Sequence, residues 1–209
     1  CFSLSYAQKE DYVWHIPVQT GLSFNQNDTC PNPPCPFYKT PDVPAETFST
    51  ICDCAGNMLF FTNGMKVWNR DYDLMENGIL YEDGEVCSEQ ALIVKKPESE
   101  TIYFIFHLFK QNKESLPMLH YSIVDVSLAE GKGAVTEVKN VPLAGGLSEN
   151  IKAALHANGK DVWILTHEKD TDAFLVYLLT NNGINNAPQR ISSGPVLSYD
   201  ENEVHHRMV

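Results

Sequence analysis

The residues of this chain whose types could do chemistry are its seven histidines, its six cysteines and a scatter of carboxylates. His107, His120, His156 and His167 fall at or near the ends of strand-like runs. Gathered in space they would suit a transition metal, because neutral imidazole is a common ligand. Their spacing points to structural roles instead: no H-x-H or H-E-x-x-H pairing occurs, and the adjacent His205 and His206 would face opposite sides of a strand. Hydrolysis needs a nucleophile beside a base, or two opposed carboxylates. The chain has no G-x-S-x-G elbow, and Glu46, Asp53, Asp125 and Glu168 lie in turn-like sequence, where Asp commonly accepts backbone hydrogen bonds. Asp53-Cys54-Ala55-Gly56-Asn57 offers too few oxygens for calcium. Trp14, Trp68 and Trp163 could stack on sugars, but their apolar surroundings favour packing between sheets. No catalytic, cofactor-binding or metal-binding residue is assigned, and no cofactor is expected.

The cysteines fit an oxidising compartment. Cys30 and Cys35 bracket Pro31-Asn32-Pro33-Pro34, a stiff loop that a disulfide could close, while Cys52 and Cys54 flank Asp53 and Cys87 stands alone. The C-x4-C and C-x-C spacings do not resemble paired zinc knuckles. Without Cys1 the count is odd, so one thiol is free, buried or paired outside the segment. Residues 1–7, Cys-Phe-Ser-Leu-Ser-Tyr-Ala, read as the end of a signal peptide with the mature chain starting near Gln8; the competing reading makes Cys1 a lipid-carrying residue. Either implies export, to the cell surface or the medium. With 15 basic against 27 acidic residues the net charge is −12, which argues against a nucleic-acid partner, since phosphate binding needs a basic footprint. No apolar run is long enough to cross a bilayer as a helix, and no membrane insertion is expected.

The elements that must position these residues are strands. Between Ile51 and Arg70 two turn signals, Asp53–Asn57 and Asn63-Gly64, enclose Met58-Leu59-Phe60-Phe61-Thr62. Phe48–Cys52, Met58–Thr62 and Met65–Asn69 therefore read as three antiparallel strands, with Asn63-Gly64 in a two-residue type I′ turn. Pro17 confines the strand-like Asp11–Phe24 to a sheet edge. Tyr72–Glu89 is acidic and turn-rich, and strands resume at Ala91–Lys95, Thr101–Leu108, Leu119–Ser127, Ala134–Val141, Ile151–His156, Asp161–Thr166, Ala173–Thr180 and Gln189–Ser192. Ile102–His107 lies over Val162–His167, and Gly56–Phe61 over Gly159–Ile164. A recurring unit of about four strands, roughly 40 to 60 residues long, is what a propeller blade looks like in sequence.

The expected fold is thus all-β, an incomplete β-propeller of three to four four-stranded blades over residues 8–209. The blades fall near 45–72, 91–141 and 151–193, with the start of another at 195–209, and Trp14, Gly56, Asn57, Gly64, Trp68 and Trp163 are its structural residues. Three blades cannot close a ring with protected edges. The segment therefore reads as the N-terminal part of a longer protein, covalently continued by further domains and expected to fold poorly alone.

Trp14…Gly21-Leu22-Ser23-Phe24-Asn25, Asp53–Gly64, Val67-Trp68-Asn69-Arg70, Met75-Glu76-Asn77-Gly78, Ser88–Val94 and His156–Trp163 resemble the N-terminal propeller-like region of large secreted Bacteroidetes proteins. Those proteins often continue into immunoglobulin-like or PKD-type modules and end in a gliding-motility-associated, type IX secretion sorting domain. The similarity runs from about Asp11 to Ser193, with departures at Ser23, at Phe48 and in the Pro/Cys loop. It implies a surface or secreted protein engaged in adhesion or polymer binding, with a protein or glycan partner displayed to the loops. The leading reading is a non-catalytic binding or scaffold module. The alternative is a secreted polysaccharide-active hydrolase or lyase whose site draws on loops of several blades.

Overall fold

The computed structural model describes residues 13–16, 20–23, 35–37, 48–84, 87, 91–194 and 196, with the backbone alone at 13–16, 20–21 and 35–37. The fold is all-β. Strands β1 (Val13–Ile16), β2 (Thr20–Ser23) and β3 (Cys35–Phe37) form a three-stranded antiparallel sheet. A meander follows, β4 (Ser49–Cys52), β5 (Met58–Thr62), β6 (Lys66–Asn69) and β7 (Leu74–Ile79), each strand antiparallel to the one before. The second group is β8 (Ala91–Lys95), β9 (Ile102–Phe109) and β10 (Met118–Asp125), with β11 (Ala134–Val135) and β12 (Val141–Gly145) both pairing with β10. The third is β13 (Leu147–Leu155), β14 (Val162–Glu168) and β15 (Ala173–Thr180), with β16 (Gly183–Ile184) and β17 (Gln189–Ser192) both pairing with β15.

The first two groups share one sheet, because β11 bonds in parallel to β7 at Ala134 and Glu76. Its end strands β4 and β8 lie against each other, so this sheet curls nearly closed. β4 also meets β1, and β8 meets β13, so the first strands of successive groups are neighbours.

Burial explains the sequence of β9. Its Ile-Tyr-Phe-Ile-Phe-His-Leu-Phe run is buried along nearly its whole length, as expected of a strand covered on both faces. Tyr103 and Ile105 join Phe60, Val67 and Met75 of the first group in one core, while Phe104, Phe106 and Leu108 join Ile164, Leu175 and Tyr177 of the third group in another. Each fully buried aromatic or aliphatic side chain contributes on the order of 2 kcal/mol.

The first turn of each group closes with the same bonds. Asp53 N donates to Asn57 O and Gly56 N to Asp53 O; Lys96 N donates to Ile102 O and Ser99 N to Lys96 O; His156 N donates to Asp161 O and Gly159 N to His156 O. These bonds make Ile102 equivalent to Asp161, one residue away from the Ile102–Val162 pairing read from the sequence.

Other expectations need correction. Asn63-Gly64 is a reversal but not a type I′ turn: Gly64 has φ 83° while Asn63 keeps a negative φ, and Thr62 pairs with Val67 around four intervening residues. The buried Asn63 side chain instead accepts from Met65 N and Lys66 N. Asn77-Gly78 is not a reversal; it lies inside β7, where Asn77 at φ 56° sends Nδ2 to Val135 O at 3.0 Å. Ala134–Val141 is two short strands rather than one, broken before Asn140 at φ 53°. Between β10 and β11 the chain makes a left-handed turn, with Ala129 at φ 48° and Glu130 at φ 57°. The segments around Cys30 and 197–209 lie outside the described residues.

Candidate functional site

The histidines separate into those that meet and those that do not. His107 on β9 and His120 on β10 are register partners, so both point to the same face. Their rings are nearly parallel, with centroids 5.9 Å apart. Tyr81 completes the group, its ring 5.5 Å from His107 and 6.0 Å from His120, and stacks on Phe109 at 3.9 Å.

Ser122 lies one step along the same face. His107 Nε2 is 3.1 Å from Ser122 Oγ, and both side chains are 0% exposed. Asn140 completes the network. Its Nδ2 donates to Leu80 O at 2.6 Å, which turns Oδ1 toward Ser122; the serine hydroxyl donates to that oxygen at 3.2 Å and accepts from Asn140 N at 2.9 Å. A hydroxyl has one proton: with it on Asn140 Oδ1, His107 donates through Nε2–H, and the tautomer of the imidazole sets which way this bond runs. A serine nucleophile requires the reverse, an imidazole nitrogen that accepts the hydroxyl proton. In that polarity the pair is a structural hydrogen bond rather than a nucleophile and its base.

Electrostatics keep these rings uncharged. Burial, with His120 beside it, pushes His107 down to about 3, and burial lowers His120 as well while its ring N–H bond to Met118 opposes the shift. Both rings are neutral at physiological pH. Burial pushes the Tyr81 hydroxyl up, so it keeps its proton.

The other candidates lie apart. His156 sits in the β13–β14 turn, where its Nδ1 accepts from Asn158 N and its ring lies 5.0 Å from Trp163. His167 is 1% exposed and packs edge-on against Phe174. Asp53 anchors its own turn by accepting from Ala55 N, Asn57 N and Asn57 Nδ2. Its partial burial would raise its pKa, but these hydrogen bonds prevail and hold the carboxyl below the usual range. Asp125 is bonded to Ser127, and Glu168 to Arg190 Nη2 at 2.7 Å. Glu46 lies outside the described residues. Among the described residues no three His, Cys, Asp or Glu side chains are grouped to hold a metal.

Gly56 and Asn57 form the first turn of the first meander, with Gly56 at φ 91°. Gly64 is in the next turn, where its N–H donates to Thr62 Oγ1. Trp68 is 5% exposed and stacks on Phe61 at 5.3 Å. Trp163 is half-buried on β14, and the Trp14 side chain is outside the described set. The Cys30–Cys35 expectation also falls outside it. Cys54 is in a disulfide, whereas Cys52 and Cys87 are buried thiols. Burial first, then Glu149, with Lys110 opposing, pushes the Cys87 thiol up to about 12, so it is not poised as a nucleophile.

Tyr81, Ser122 and Asn140 went unread in the sequence because the links between them span 18 to about 60 positions. The one local signal is Asn140, a residue type that tolerates a left-handed backbone.

No protein family, no curated protein and no solved structure matches the chain.

Proposed function

We propose that this chain is a non-catalytic binding or scaffold module of an exported surface protein, built as an open propeller whose loops meet a protein or glycan partner. The observation that carries it is the closed His107–Ser122–Asn140 network, the arrangement closest to a hydrolytic one among the described residues. Its serine hydroxyl has Asn140 Oδ1 as an acceptor besides His107, and we read the proton as given to Asn140, so that the imidazole donates where a base would accept.

The stacking of units supports the propeller reading. First strands β4, β8 and β13 adjoin in order, and the middle group, which shares its sheet with the first, buries one face of β9 against each neighbour. Ala173-Phe-Leu-Val-Tyr-Leu-Leu-Thr180 in β15 is apolar on both faces, as β9 is, yet its burial alternates. Phe174, Val176 and Leu178 stay half-buried, and Ile191 beside Phe174 is 46% exposed. That second face suits a further unit of the same kind, covalently continuing the stack.

The test is to incubate the purified chain with a panel of polysaccharides and surface proteins, scoring retention and product release separately. Retention without release is expected. Release that Ser122→Ala or Glu168→Gln abolishes would overturn the proposal in favour of a polysaccharide-active enzyme.

A further inference from the structure

The first strands of the groups stand in a row, β4 beside β1 and β8, and β8 beside β4 and β13. β8, flanked on both sides, keeps Ile93 and Val94 buried. β13 meets β8 on one side, and its Lys152–Leu155 half is exposed, Leu155 at 65%. These stretches are equivalent: Ala91 pairs with His107 and Ile151 with Thr166, and both partners lie five residues past the turn positions Ile102 and Asp161. Ala153 and Ala154 are thus exposed where Ile93 and Val94 are covered.

The same equivalence leaves a cation unmatched. Lys110 Nζ bonds Glu149 Oε1 at 3.2 Å, tying the end of β9 to the start of β13. Lys169 stands after β14 where Lys110 stands after β9; it is half-buried and has no ion-pair partner among the described residues. The sequence after β17 carries the complement. Gly194-Pro-Val-Leu-Ser198 repeats Gly84-Glu-Val-Cys-Ser88, which leads into β8, and its Leu-Ser repeats Leu147-Ser148 at the start of β13. Cys87 and Leu147 hold one position, four residues before Ala91 and Ile151, and each is 0% exposed. Leu197 is the third member of that series, and Asp200, Glu201 and Glu203 follow it as Glu149 follows Leu147.

We infer, resting on the stacked-unit reading above, that the open side of β13 is the docking surface for residues 197–209. The segment enters as the first strand of a fourth group, anchored by Leu197 and held by an ion pair between Lys169 and one of its carboxylates. Charge favours this occupant over a second copy of the chain. At a net −12 two chains repel, whereas a tethered segment meets Lys169 at high effective concentration.

Carbodiimide coupling of the full chain, followed by proteolysis and mass spectrometry, tests this, with the Lys110–Glu149 pair as internal standard. An amide between Lys169 and Asp200, Glu201 or Glu203 within one molecule is expected. Coupling at Lys110 without coupling at Lys169 would overturn the proposal. Coupling of Lys169 only between molecules would overturn it too, giving the surface to a second copy. In addition, Leu197→Asp should raise amide hydrogen exchange at Lys152–Leu155 severalfold and leave Ile102–Phe109 unchanged. Equal exchange in the two proteins would contradict the docking. Neither measurement involves retention on a partner, so its failure is distinct from failure of the binding-module reading.

Discussion

His107 Nε2 stands 3.1 Å from Ser122 Oγ with both side chains closed to solvent, and we read the bond as running from imidazole to hydroxyl. Removing the hydroxyl leaves His107 Nε2–H and the backbone N–H of Asn140 without their acceptor. Ser122→Ala is therefore expected to cost about 2–4 kcal/mol, read by urea denaturation. A loss under about 0.5 kcal/mol would mean that the network carries no stability.

The neutral histidines set a pH dependence. His107 is near 3 when folded and has an ordinary value of 6.5 when unfolded, and His120 is shifted the same way. Between those values the unfolded chain binds more protons, so folding stability is full above about pH 6.5 and falls as pH drops toward 3. His107→Gln should flatten that slope relative to wild type between pH 6.5 and 4 in denaturation curves. An unchanged slope would contradict the burial argument.

Two tryptophans should behave differently. Trp68, stacked on Phe61 in the core, should cost about 3–5 kcal/mol when changed to Ala. Trp163, half-buried on the face that we assign to a further unit, should cost less than half as much in this chain. Equal losses would show that the outer face of β14 and β15 is already part of a closed core.

The left-handed turn after β10 holds a residue against its preference. Ala129 sits at φ 48°, a conformation that costs a non-glycine residue roughly 1–2 kcal/mol. Ala129→Gly should therefore raise stability by about 0.5–1 kcal/mol after the entropy that glycine loses on folding. A lower Tm would contradict this reading of the turn.

Much of the strand pattern was legible because each strand carries its own evidence. The continuous apolar run of β9 and the apolar β15 could be read directly, and so could the turn at Asp53, whose carboxylate is spent on local backbone N–H groups. β7 was missed because Leu74-Met-Glu-Asn-Gly-Ile79 looks like a turn: Asn77-Gly78 signals a reversal, and its left-handed residue is instead absorbed inside a strand bonded sideways to Val135. The one-residue slip between β9 and β14 arose from matching apolar runs that are similar on both faces. The buried polar cluster was illegible because the links joining Leu80, Ser122 and Asn140 depend on how the first two groups pack.

The most direct measurement is the tautomer of His107, from imidazole nitrogen chemical shifts of the labelled chain between pH 5 and 8. We expect a neutral ring throughout, protonated at Nε2 with an unprotonated Nδ1, as a donor to Ser122 must be. A ring protonated at Nδ1, with Nε2 free to accept the serine proton, would contradict the scaffold account and reinstate a catalytic reading of the pair.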